Sequence, residues 1–92
     1  MSPKIKKLNA YYMKKYGITW AERQTIWKKQ QGRCAICDKH ERHFKNRLSV
    51  DHDHRDGRVR GLLCFRCNKF LVGRHTLHTA ILVVLYLKAS VS

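Results

Sequence analysis

Acidic side chains are scarce in this chain. Six Asp and Glu stand against twenty Lys and Arg in 92 residues, for a formal charge of +14 and a pI near 10.2. Such a balance argues against an incidentally basic, merely solvated surface and points to a polyanion partner. The positive charge runs from Lys4, Lys6, Lys7, Lys14 and Lys15 to Arg58, Arg60, Arg66, Lys69 and Arg74. That spread suits a groove following a phosphate backbone better than a disordered basic tail. Long hydrophobic runs are missing too. Ala80–Leu87 is strongly apolar, yet far short of the roughly 18–20 residues that span a membrane. The basic N-terminus leads into no apolar stretch of the kind a secretory signal needs. No cysteine lies outside two Cys-x-x-Cys pairs. In a chain without a signal, that pattern favours zinc in a reducing compartment over disulfides. The expectation is an intracellular protein with no membrane partner. No repeat or low-complexity linker interrupts the chain, so residues 1–92 are expected to form a single domain, near the size at which a metal staple helps.

Local patterns place the elements. Residues 4–16 read as a basic helix with Ile5, Leu8, Tyr12 and Tyr16 at roughly helical spacing, stopped by Gly17. Thr19-Trp20-Ala21-Glu22 matches a capping box, which opens a second helix from Trp20 to Gln31. Gly32 sits where a left-handed residue would end it. Residues 38–47 read as a polar loop. Leu48–His52 and Arg58–Leu63 read as two strands, with Asp56-Gly57 as the hairpin turn between them. A short helix is expected around Asn68–Val72, broken near Gly73, and a last one over Thr76–Lys88. Because residues 80–87 are apolar almost all round, that last helix is expected in the core, with pairing to a second subunit as the other possibility. Trp20, Trp27, Tyr11, Tyr12 and Tyr16 are expected to supply core rather than to stack on bases.

The chemistry concentrates between the cysteine pairs. Cys34-Ala-Ile-Cys37 and Cys64-Phe-Arg-Cys67 supply the four thiolates of a closed tetrahedral zinc site, which leaves no coordination position open for catalysis. Zinc would then hold the fold while the groups between the pairs act. Three of the six acidic residues, Asp51, Asp53 and Asp56, fall within six positions there, with His52 and His54 among them. Carboxylates concentrated in a basic chain suggest a second metal. The order of knuckle, hairpin, knuckle and helix describes a small ββα unit clamped by zinc, in an α+β fold. The expected layout is a helical basic part over residues 1–31, a zinc-bound ββα core over 32–74 and a C-terminal helix over 75–92.

From Cys34 to about Arg74 the chain resembles the phage recombination endonuclease VII family of the HNH (His-Me finger, ββα-metal) nucleases. The residues that carry the resemblance are Cys-x-x-Cys, Leu-x-Val-Asp-His-Asp-His and Gly-Arg-Val-Arg-Gly-Leu-Leu-Cys-x-x-Cys-Asn, in that order. The resemblance implies a metal-dependent DNA endonuclease leaving 5′-phosphate and 3′-hydroxyl ends. It makes Asp51 and Asn68 ligands of a catalytic Mg²⁺ or Mn²⁺ and His52 the general base. It also makes Cys34, Cys37, Cys64 and Cys67 the ligands of structural Zn²⁺. The chemistry fits those assignments. Mg²⁺ takes oxygen ligands and keeps several waters, and an imidazole accepts a proton from water near neutral pH. Asp53 is assigned an orienting role and His54 an auxiliary contact to phosphate or metal.

In a regular strand Asp51 and His52 face opposite ways, so a shared site requires the strand to end or bulge there. Arg58, Arg60, Arg66 and Lys69 are expected to position DNA without reading its sequence. His40, His43, His75 and His78 are expected to have surface or DNA-contacting roles. Plainer readings compete with these. Asp51 and Asp53 could simply neutralise Arg58 and Arg60 across the hairpin, His52 could be a core histidine and Asn68 a helix cap. The alternatives to a nuclease are then a non-catalytic zinc module that binds DNA, or a regulator acting through the apolar C-terminal helix. Few residues follow Asn68, which weakens the case for a junction-resolving dimer and leaves monomer or homodimer open.

Overall fold

The computed structural model describes residues 2–91. Helix α1 (Pro3–Tyr16) begins with the Ser2 hydroxyl accepting from the Ile5 amide at 3.2 Å and with proline in its first turn, where no amide partner is needed. Gly17, at φ 74°, ends it in the left-handed region. Helix α2 (Trp20–Lys29) carries the expected capping box. The Glu22 amide donates to Thr19 Oγ1 at 3.1 Å, and the Thr19 amide donates to Glu22 Oε1 at 3.0 Å. The helix ends two residues earlier than its sequence suggested, because Gln31 as well as Gly32 turns left-handed. Glycine is required at position 32 on two counts. Its φ is 69°, and a Cβ there would lie 2.6 Å from both the His40 and Trp27 rings.

Strands β1 (Ser49–His52) and β2 (Val59–Leu63) form an antiparallel hairpin. Asp56-Gly57 lies in its turn, with Gly57 at φ 77° and its amide donating to the Asp53 carbonyl at 2.7 Å. Gln30, at the end of α2, acts as a fragment of a third strand. Its side chain donates to the Leu62 carbonyl and accepts from the Leu62 amide, both at 2.9 Å. Leu62 is fully buried and sits with Leu48, Val50, Leu63 and Tyr12 in a core completed by Cys34, Cys64 and Cys67. The loop over 38–47 contains a short 3-10 turn, Glu41–His43. Glu41 Oε2 accepts from Arg23 Nη2 at 2.7 Å and from the Leu48 amide at 2.8 Å, while Oε1 accepts from the Trp27 indole at 3.2 Å. Arg23 is 1% exposed and also donates to the Leu48 carbonyl. One carboxylate thus fixes α2, the loop and the entry to β1.

The two cysteine pairs converge. Their four Sγ atoms all lie within 4.8 Å of one another, and those of Cys37 and Cys64 are 3.9 Å apart. A tetrahedron with Zn–S arms of about 2.3 Å has edges of about 3.8 Å, so the cluster could hold a zinc ion with little adjustment. Burial disfavours the Cys34 thiolate, but backbone hydrogen bonding from Cys64, Cys37 and Ile36 outweighs it and lowers the pKa to about 7. Burial and the neighbouring sulfurs push Cys67 up to about 12. Thiols this close resist ionising together, and a central dication would relieve that resistance.

Helix α3 (Leu77–Val91) departs from expectation. Rather than filling the core it projects from the body, with Leu77, Val84 and Tyr86 at least 60% exposed. The radius of gyration is 15.5 Å, against about 12 Å for a compact chain of this length. The core is built by α1, α2, the hairpin and the cysteine segments, and no residue of α3 belongs to it. Tyr11, also expected inside, is exposed, whereas Tyr12 is buried and Tyr16, Trp20 and Trp27 are half-buried. Among the described residues no single helix is long and apolar enough to cross a membrane.

Two tests address these contacts. Chelation of a zinc-loaded sample is expected to abolish the cooperative thermal transition followed by circular dichroism. A chelated protein that melts as before would show that the thiols pack without a metal. Burial alone would raise the Glu41 pKa, but Arg23, the Leu48 amide and the Trp27 indole together hold it below its ordinary value of 4.5. A depressed carboxylate stabilises the fold fully above its unfolded pKa and loses that contribution as pH falls through the folded value. Glu41→Gln is therefore expected to destabilise by about 2–3 kcal/mol at pH 7. Denaturant titrations should show the gap between variant and wild type closing below about pH 4.5.

Candidate active site

The hairpin bulges between Asp51 and His52, the step at which a shared site was expected to need a bend. Asp51 pairs with Gly61 and His52 with Val59, so Arg60 is the extra residue opposite the Asp51–His52 step. β1 also ends at His52. A bulge bends the strand and re-aims its side chains, and here residues of both faces line one cleft. Asp51 and Asp53 are buried, His52 is half-buried and His54 is exposed. The His52 ring lies 4.8 Å from that of His54 and 5.9 Å from that of Tyr16, which closes the end of α1 over it.

Each buried carboxylate has its own arginine. Arg60 grips Asp51 with a fork, Nε to Oδ2 at 2.7 Å and Nη2 to Oδ1 at 3.1 Å. Arg55 forks Asp53 in the same way at 3.2 and 3.0 Å, and its amide donates to Asp53 Oδ1 at 2.8 Å. These side-chain and amide contacts hold the Asp53 carboxyl well below the usual carboxylate range. Of the pairings considered from sequence, Asp51–Arg60 is present, whereas Asp53 pairs with Arg55 rather than Arg58. The Arg58 amide instead donates to Asp56.

Asn68 arrives from the second cysteine pair. The Asn68 amide donates to the Cys64 carbonyl at 2.9 Å and the Cys67 amide to Cys64 Sγ at 3.4 Å, so the knuckle itself starts the helical turn. That turn, Cys67–Leu71, is widened to π geometry and tightens to 3-10 over Val72–Arg74. π segments recur at functional sites. Gly73 permits the tight end, because a Cβ there would meet the Asn68 carbonyl oxygen at 2.8 Å. No hydrogen bond joins the half-buried Asn68 carboxamide to another described residue.

Asp51, His52, Asp53, His54 and Asn68 all line one open cleft of about 1040 Å³. Lys15, Arg55, Arg60 and Arg74 line the same cleft and make its walls basic. The donor set suits a hard divalent cation, with a carboxylate that already attracts a positive group and a carboxamide free to offer its oxygen. Four basic residues were expected beside DNA, and of these only Arg60 lines the cleft. Lys69 lies over the Phe65 and Phe70 rings at 5.3 and 5.7 Å, and Arg58 and Arg66 are exposed elsewhere. His75 and His78 line the cleft, whereas His40 packs edge-on against Trp27 and accepts from the Arg42 amide. Sequence reasoning missed Arg55, although its place two residues after an aspartate is a common turn signal.

Residues 9–89 match the family described as recombination endonuclease VII. The chain is 55% identical over 58 residues to the Gene 59 protein of Mycobacterium phage D29, covering 63% of this chain and 34% of that protein. It is equally similar, 55% over 58 residues, to the Gene 59 protein of Mycobacterium phage L5, with 63% and 35% covered. The chain thus spans about a third of the length of these relatives. No solved structure matches it. Since the match takes in all but the ends of the chain, this protein belongs to the recombination endonuclease VII family.

Proposed function

We propose that the chain is a metal-dependent DNA endonuclease of the HNH type, with residues 1–92 acting as one nuclease domain. The observation that carries the reading is the meeting of Asp51, His52 and Asn68 in a single basic cleft. Asp51 and His52 come from the bulged hairpin, and Asn68 comes from the turn beyond the cysteine cluster. The two strands and that turn serve as the ββα-metal core, stapled by zinc on the four cysteines.

In this reading Asp51 and Asn68 would hold a Mg²⁺ or Mn²⁺ ion, which supplies Lewis-acid stabilisation of charge on the phosphate. His52, flanked by the tilted rings of His54 and Tyr16, takes the proton from an attacking water. The P–O3′ bond of the DNA breaks, and the departing oxygen takes a proton from solvent, leaving 5′-phosphate and 3′-hydroxyl ends. Asp53, locked by Arg55, stiffens the end of the hairpin so that the His52 and His54 rings keep their place. Lys15, Arg60 and Arg74 position the phosphate backbone without selecting sequence. The setting is the interior of a phage-infected cell. The substrate is DNA, cut by nicking or through both strands, with junction resolution if two copies assemble. A second reading is favoured by the two aspartate–arginine pairs, which also suit a zinc module that only binds DNA.

Cleavage of supercoiled plasmid separates the two. Zinc-loaded protein is expected to cut only with added Mg²⁺ or Mn²⁺, and a folded His52→Ala variant should be slower by about 10²-fold or more. Wild type that binds the plasmid and never cuts it with either metal would favour the binding module.

A further inference from the structure

Arg60 holds a position that positioning a phosphate backbone does not explain. It is the residue the bulge adds, and it uses that freedom to reach Asp51 rather than to extend into solvent. Both carboxylate oxygens are taken, at 2.7 and 3.1 Å, in the planar fork that arginine forms with carboxylate or phosphate. These are the oxygens a divalent ion would need. A dication on either oxygen would sit within a few ångströms of the guanidinium, where like charges repel strongly. Each oxygen keeps a second lone pair, but the two like charges compete for one carboxylate.

The two partners differ in how readily they can move. The Asp51 side chain is 10% exposed and fixed in the strand, whereas that of Arg60 is 42% exposed and borders the cleft. The neighbouring pair also joins a buried aspartate to an exposed arginine at the cleft, but it is tied more locally. Arg55 and Asp53 belong to one turn, joined by a backbone amide as well as by side chains, and Arg55 is 88% exposed. Arg60 is therefore the group that moves. Once released it still faces the cleft, and a phosphate offers its fork the same bidentate geometry that Asp51 does.

We propose that Arg60 is an exchange switch: it occupies Asp51 until metal and DNA arrive, and then passes from the carboxylate to the phosphodiester. The inference rests on the nuclease reading of the site. A phosphate that takes up Arg60 frees Asp51 for metal, and metal on Asp51 frees Arg60 for phosphate. Metal and DNA then bind with positive coupling, and the coupling is reciprocal. Without DNA the switch keeps metal affinity low, so the ion is taken up where substrate is already bound.

The test is titration of zinc-loaded protein with Mn²⁺, reading free Mn²⁺ by electron paramagnetic resonance. It is done with and without a short DNA duplex, in a His52→Ala background that leaves the DNA intact. With Arg60 present, duplex is expected to tighten Mn²⁺ binding about tenfold or more. Arg60→Gln should bind Mn²⁺ about tenfold more tightly without DNA, and duplex should then change its affinity little. Arg60→Lys keeps the charge but loses the fork, and should fall between the two. Zinc content and thermal melting identify any variant that fails to fold, and Arg60→Lys carries the comparison if Arg60→Gln does. Equal or weaker Mn²⁺ binding by both variants, where Asp51→Asn abolishes binding, would overturn the switch and leave the nuclease reading standing. Mn²⁺ binding unaffected by Asp51→Asn would overturn both.

Discussion

Four thiols meeting within 4.8 Å tie together two segments far apart in the sequence. Cys34 and Cys37 follow α2, and Cys64 and Cys67 follow β2, so their convergence fixes the exit of the helix against the exit of the hairpin. Two consequences follow. The hairpin, too small to be stable alone, gains a fixed base, strengthened where Gln30 pairs with Leu62. The turn that carries Asn68 also starts directly from the cysteine cluster, with its first amides bonded to Cys64. The cluster thereby sets the distance between Asn68 and the residues at the far end of β1. A small core of Leu48, Val50, Leu62 and Leu63 could not impose that geometry unaided.

Charge is arranged with similar economy. Against a net +14, the buried carboxylates Asp51 and Asp53 and the half-buried Glu41 each face an arginine. The three pairs do different things. Glu41–Arg23 is enclosed and knits α2 to the strand entry. Asp53–Arg55 stiffens a turn. Asp51–Arg60 opens onto the cleft, and its arginine comes from a bulge, a feature that makes the pair exchangeable rather than structural.

Much of this was legible in local sequence because local physics decides it. Thr19 and Glu22 satisfy each other's amides whatever lies beyond them, Gly17 and Gly32 adopt angles that other residues resist, and Asp56-Gly57 turns the hairpin. The spacing of the cysteines gave their cluster, and the conflict between strand alternation and a shared Asp51–His52 site required the bulge that is observed. Contacts between distant segments were not legible. Nothing near Gln30, Arg23 or Glu41 announces the partners they find more than ten residues away. The composition of α3 showed that it avoids water, but not that the core would form without it. The basic residues flanking the cysteines looked equivalent, and only the bulge singled out Arg60.

A cation held by Asp51 and Asn68 would lie next to His52 and depend on the cysteine cluster that joins the two segments. Adding Mn²⁺ to zinc-loaded, ¹⁵N-labelled protein with a DNA duplex, and recording which amide signals broaden, tests that arrangement most directly. Broadening centred on Asp51, His52 and Asn68 together is the expected result. Broadening at Asp51 without Asn68, or centred instead on Asp56 and the exposed turn, would contradict it.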